Sequence, residues 1–175
     1  MTAPAPEPPN SGEAGLSAFD QLLLLVGRMN YSWTNTESLL IHLIAGLAGT
    51  SKQTAVIIYL TLNTTRARVD LVDRLAKSGT VSAELRQRIT DLTARIRKHQ
   101  SLRNHYSHSI YSFDAETGAT RTITMRIADR KDALKMGRSD DVDAEALTRI
   151  KDTIEALKLL NHEIWALVLE QGYPA

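Results

Sequence analysis

Residues 85–108 read LRQRITDLTARIRKHQSLRNHYSH, and this stretch decides the fold. Its apolar residues Leu85, Ile89, Leu92 and Ile96 step by four, three and four, which places them on one face of an α-helix. Continued at 3.6 residues per turn, the same stripe arrives at Arg103, eighteen residues and five full turns after Leu85. An arginine therefore occupies a position that the pattern reserves for the core. Arginine does not lose its proton in proteins, so a guanidinium there must face a carboxylate, a subunit interface or an anionic ligand.

Outward from this helix, the chain reads as mostly helical. Ser17 is placed to cap a long first helix that runs to about Ala48, before Gly49. Phe19, Leu22, Leu23, Val26, Met29 and Trp33 form its stripe, which resumes at Leu40, Leu43, Ile44 and Leu47. The polar run Asn30–Thr36 is poor in helix formers, and a kink is expected there. Ser51 or Thr54 starts a short second helix through Val56, Ile57 and Leu60, interrupted at Asn63 and Thr64. A third carries Val69, Leu71, Val72 and Leu75 and ends at Ser78–Gly79, and Thr80 or Ser82 opens the fourth. After it the period changes. Ile110–Phe113 and Thr120–Ile127 are rich in β-branched and aromatic residues, and the turn 114–118 between them makes a β-hairpin. A polar loop through Gly137–Asp140 leads to a last helix, capped by Asp141 or Asp143, with Ile150, Ile154, Leu157, Ile164 and Val168 on one side and Gly172 after its end. The expected fold is all-α: an up-and-down bundle of four to five helices with a short β-hairpin before the last one. Residues 1–15, with four prolines and no basic residue, read as a disordered tail, and residues 16–175 as one domain.

The chain of 175 residues has no cysteine, which removes disulfides, thiolate metal sites and a cysteine nucleophile and fits a reducing, cytoplasmic setting. No apolar run reaches the ~18 residues that cross a bilayer, so no membrane partner is expected. The formal net charge of +1 hides a basic block: residues 66–103 hold ten basic and four acidic side chains. Arg66, Arg68, Arg95, Arg97 and Lys98 in this block are weak candidates for holding an RNA backbone, and equally ordinary charges on the wet faces of two helices.

Glu37, four residues after Trp33 and so on its face of the first helix, is the expected carboxylate partner of Arg103. His108 lies five residues beyond Arg103, about 140° around an ideal helix, so the two converge only at a distorted helix end or across a two-fold axis. Arg103, Asn104 and His108 form an arginine, a polar neighbour, and a histidine after four intervening residues. Together with Tyr31, Trp33, Glu37 and Leu40 in the first helix, and the hairpin ahead of the final helix, the segment 17–171 resembles the HEPN family of helical-bundle nucleases and toxin-like proteins. The intervening His105, Tyr106 and Ser107 depart from the small apolar residues common in such relatives.

The resemblance implies a homodimer whose composite site cuts RNA without metal or cofactor. Arg103, Asn104 and His108 would be catalytic, and Glu37, His105 and Tyr106 supporting. His108 would take the proton of a ribose 2′-hydroxyl, Arg103 would stabilise charge on the phosphorane-like transition state, and Asn104 would orient the imidazole or the phosphate. A cognate antitoxin or other protein partner would fit a toxin or defence role. The alternative is a non-catalytic HEPN-like dimerisation or interaction domain that binds a partner protein or a nucleotide, with Arg103 locked in a salt bridge and His108 packed away. A nucleic-acid-binding regulator using the 66–103 block is a third reading, unsupported by any helix-turn-helix pattern. The imidazoles of His99, His105 and His108 lack the further ligands that zinc needs, and His42 and His162 read as satisfied residues at core edges.

Overall fold

Helix α1 (Ala18–Ser38) starts where the hydroxyl of Ser17 accepts the backbone N–H of Asp20, the N-cap that the sequence calls for. The computed structural model describes residues 17–78, 81–114, 116–130 and 133–175, with 125–130 and 133–136 in backbone alone. The expected tail over 1–15, and the expected boundary residues Gly79 and Thr80, lie outside the described residues. The remaining helices are α2 (Leu40–Leu47), α3 (Lys52–Thr61), α4 (Thr65–Ser78), α5 (Ala83–Ser107) and α6 (Ala144–Glu170).

Among the described residues six helices therefore stand where four to five were expected, because the long first helix divides. The break falls at Leu39 and not in the polar run Asn30–Thr36. That run stays helical because its side chains find partners: Asn30 donates to the Val26 carbonyl, and the Thr36 hydroxyl donates to the carbonyls of Ser32 and of Leu157 on α6. The Leu39 N–H then reaches back only three residues, to the Thr36 carbonyl, and the chain restarts as α2. α3 turns a different face inward from the one expected. Ala55 and Tyr59 are buried, while Ile57 and Leu60 stand 67% and 64% exposed.

The three long helices α1, α5 and α6 pack on one another, α2 packs against α3 and α4, and α4 against α5. Leu22, Met29, Trp33, Leu40, Ile89, Ile96, Ile150, Leu157 and Ile164 are wholly buried in one cluster, so the stripes of the first, fourth and last expected helices meet, except that Leu23 stands 43% exposed and Leu25 is buried in its stead.

Between α5 and α6 lies a three-stranded antiparallel sheet in the order β1 (Ser109–Phe113), β2 (Thr120–Arg130), β3 (Ala133–Asp141). The expected hairpin is β1–β2, with Tyr111 opposite Thr122. The expected polar loop through Gly137–Asp140 is instead the end of β3. Its register against β2 shifts between Thr124 and Ile127, and Gly137 sits at the irregularity with φ 74°. That left-handed backbone suits glycine, and the bulge interrupts the alternation by which a strand is recognised.

Candidate functional site at the end of helix α5

The end of α5 is held from two sides. On the side of α1, half-buried Arg103 donates from Nε to Asn30 Oδ1 (3.3 Å) and from a terminal nitrogen to Asn104 Oδ1 (3.1 Å). Its guanidinium carbon stands 5.5 Å from the centre of the Trp33 ring. The Ser107 hydroxyl also donates to Asn30 Oδ1, at 2.8 Å. On the side of the sheet, the two ring nitrogens of His105 lie 3.2 Å and 3.3 Å from the hydroxyls of Thr122 and Thr124 on β2. The Ser109 hydroxyl donates to the His105 carbonyl, and the buried Tyr106 gives its carbonyl to the Tyr111 hydroxyl. Burial pushes the Tyr111 phenol up to about 12 and raises that of Tyr106 as well. His105 and Tyr106 thus fasten the helix to the sheet, a supporting role in the mechanical sense.

His108 caps the C-terminus of α5, its N–H donating to the Asn104 carbonyl, and its side chain is exposed. It lines a groove of about 1000 Å³ between the helix end and the sheet, together with Asn104, His105, Thr122, Thr124 and Arg138. Arg103 faces away from that groove, toward α1. Asn104 is the link, since it lines the groove and also accepts from Arg103. Within one chain, then, Arg103 and His108 do not converge on one point.

The expected partnership of Glu37 with Arg103 does not occur. The Glu37 carboxylate accepts from Trp33 Nε1 (3.0 Å) through one oxygen, and from the Thr65 hydroxyl (2.6 Å) and an Arg68 terminal nitrogen (3.0 Å) through the other. Arg68 itself donates from Nε to the carbonyls of Tyr59 and Leu62, and its guanidinium carbon lies 3.9 Å over the Tyr59 ring. Arg68 is therefore a largely buried cation whose donors are taken up within the fold. Trp33 mediates between the two arginines: its indole N–H serves Glu37 and its face carries Arg103. Among the described residues no carboxylate comes within ion-pairing distance of Arg103.

Most of the other basic-block candidates are likewise spoken for. Arg95 pairs with Glu163 on α6. Arg97 bridges Asp70 and Asp73 on α4, which holds the Asp70 carboxyl below its usual range, and Arg66 lies 3.8 Å from Asp70. Lys98 is exposed. These pairs stitch α4 to α5 and α5 to α6.

Of the other histidines, His99 is half-buried and its pKa is lowered, chiefly by burial and then by Lys98 and Arg95. His42 is buried as expected, against Trp165, with Nδ1 2.6 Å from the Pro174 carbonyl oxygen. His162 is instead exposed. Among the described residues no three His, Asp or Glu side chains gather as metal ligands would, and no helix is long and apolar enough to cross a membrane. Sequence reasoning missed Asn30, which organises Arg103 and Ser107 together. Its signal was available, since Asn30, Trp33 and Glu37 step by three and four along one helix face. No family model, no curated protein and no solved structure matches the chain.

Proposed function

We propose that the chain is a HEPN-like homodimer that cuts RNA without a metal, with Arg103, Asn104 and His108 as its working residues. The observation that carries the reading is Arg103, a permanent cation held in place by two neutral amide oxygens and an aromatic face. Such a clamp fixes the fork of the guanidinium without neutralising it, which suits the recognition of a phosphate. The exposed imidazole of His108 at the end of the same helix is free to meet a substrate. Because the two groups diverge within one chain, the site needs a second copy, the Arg103 of one protomer working with the His108 of the other. His108 then removes the proton of a ribose 2′-hydroxyl, whose oxygen attacks the adjacent phosphorus. Arg103 stabilises the charge that collects on the phosphoryl oxygens, and the P–O5′ bond breaks to leave a 2′,3′-cyclic phosphate while the 5′-oxygen takes a proton from water.

The non-catalytic interaction domain remains the second reading, favoured by the same divergence. Cleavage of a mixed RNA pool in EDTA separates the two. The expected result is chelator-resistant cutting that falls by about 100-fold or more in both His108→Ala and Arg103→Ala, the scale of a lost general base or charge stabiliser. Folded wild-type dimers that leave the pool intact overturn the nuclease and leave the interaction domain.

A further inference from the structure

The α1–α6 seam gathers cations that sequence order keeps apart. Two adjoining hollows of about 430 Å³ and 630 Å³ lie along it, sharing Arg28, Ile154 and Lys158. One also takes in Tyr31, Asn35 and Asn161, and the other Leu24 and Lys151. From Gln21 to Asn35 the seam follows α1 for about 21 Å at 1.5 Å per residue, and Lys151 and Lys158 lie about 10 Å apart along α6. Among the described residues the lining carboxylate is Glu155, 2.7 Å from Lys158 in a pair whose side chains are 56% and 71% exposed, so water screens it and it holds Lys158 weakly. Tyr31 stands at the rim, 73% exposed, between an asparagine on its own helix and one on α6.

We infer that this seam binds a short single-stranded stretch of RNA, about three nucleotides long. Lysines along a trough hold a phosphate backbone, an exposed aromatic ring offers a surface for a base to stack on, and amides at the same end meet base edges. An acidic peptide would use the lysines but has no need of the tyrosine flanked by amides. The inference rests on the RNA reading above, because it places the rest of the substrate. Arg103 approaches α1 on the flank of Asn30 and Trp33, and the seam lies on the other flank. On the ridge between them α1 presents Gly27 and Thr34, both small and exposed, and a side chain built on Gly27 would meet open space.

The test is a fluorescence anisotropy titration of the full chain with a labelled 2′-O-methyl RNA of about twelve nucleotides, which cannot be cut through its 2′-oxygen, in roughly 0.1 M salt. Lys151→Glu with Lys158→Glu should raise Kd by about tenfold or more and lower the salt slope by about 1.4, two single-strand phosphate contacts. Tyr31→Ala should raise Kd by about fivefold or more. Arg74→Glu with Lys77→Glu, the same charge change placed on α4, should raise it by less than about threefold. Circular dichroism establishes that each variant is folded. Equal weakening by the α4 pair, an unchanged Kd in the seam variants, or binding of a polyglutamate peptide as tight as that of the RNA overturns the inference. Wild type that binds the RNA through the seam and cuts nothing overturns the nuclease alone. Wild type that cuts while the seam variants still bind normally overturns the seam alone.

Discussion

Two arginines stand on core-facing positions, 35 residues apart in the chain and both linked to one tryptophan, Arg103 through its ring and Arg68 through Glu37, and they are treated differently. Arg68 meets a carboxylate, two backbone carbonyls and a tyrosine, and with side chains only 17% and 10% exposed the Arg68–Glu37 pair is removed from water. Arg103 meets two neutral amide oxygens and the Trp33 face. Both are fixed in orientation, but among the described residues only the first meets a carboxylate. Under the proposed function, the difference separates a cation that holds the fold from one that would act on a phosphate.

The comparison breaks most severely at Glu37. Glu37→Ala strands Arg68 in a dry setting and leaves the Trp33 indole and Thr65 hydroxyl without their acceptor. Removing one partner of a buried pair costs about 3–5 kcal/mol. Urea denaturation should show a loss of that size, while Glu37→Leu with Arg68→Met, which removes both charges, should recover much of it. A loss below about 1 kcal/mol would place the pair among the weak surface bridges and remove the contrast with Arg103.

Asn30→Asp converts the second site toward the first. The new carboxylate stands where Asn30 Oδ1 now accepts from Arg103 and Ser107. Stability at neutral pH should change by no more than about 1 kcal/mol, because a half-exposed pair gains little. Cleavage or phosphate binding should fall by about tenfold or more, because the guanidinium is then compensated before substrate arrives. Full activity in this variant would show that the neutrality of the Arg103 clamp has no functional meaning.

The sequence exposes the second site better than the first. Arg103 is visible because Leu85, Ile89, Leu92 and Ile96 set a phase that it violates. Arg68 offers no such signal, since it lies among the charges of a basic block, and its burial depends on α3 turning Tyr59 inward. Glu37 is recognisable as a buried acid on the Trp33 face, but helical phase cannot say which of two arginines reaches it. β3 escapes notice because Gly137 and the register shift break its alternation. The lysines of the seam stand seven residues apart on α6, but Tyr31 and Arg28 join them only when α6 docks on α1, more than a hundred residues away in the chain, and no window along the sequence brings the two helices into view together.

The smallest expected effect lies at the sheet side of α5, where the fastening is again neutral. The Tyr111 hydroxyl donates to the Tyr106 carbonyl, and burial lifts its pKa to about 12, against about 10 in an unfolded chain. The neutral phenol is therefore favoured by folding. The stability it contributes is complete below about pH 10 and is lost as the pH rises toward 12, because the unfolded chain gives up the proton first. Tyr111→Phe should cost about 1 kcal/mol at pH 7, the worth of one hydrogen bond. It should also flatten the alkaline decline of thermal stability between pH 10 and 12, leaving the smaller contribution of Tyr106, whose pKa is raised in the same direction. Cleavage at pH 7 should hardly change, because Arg103 takes its orientation from Asn30, Asn104 and Trp33 and not from the sheet. If Tyr111→Phe reduced cutting as much as Asn30→Asp, the orientation of Arg103 would depend on the whole helix end, and the contrast with Arg68 would no longer rest on the atoms that touch each guanidinium.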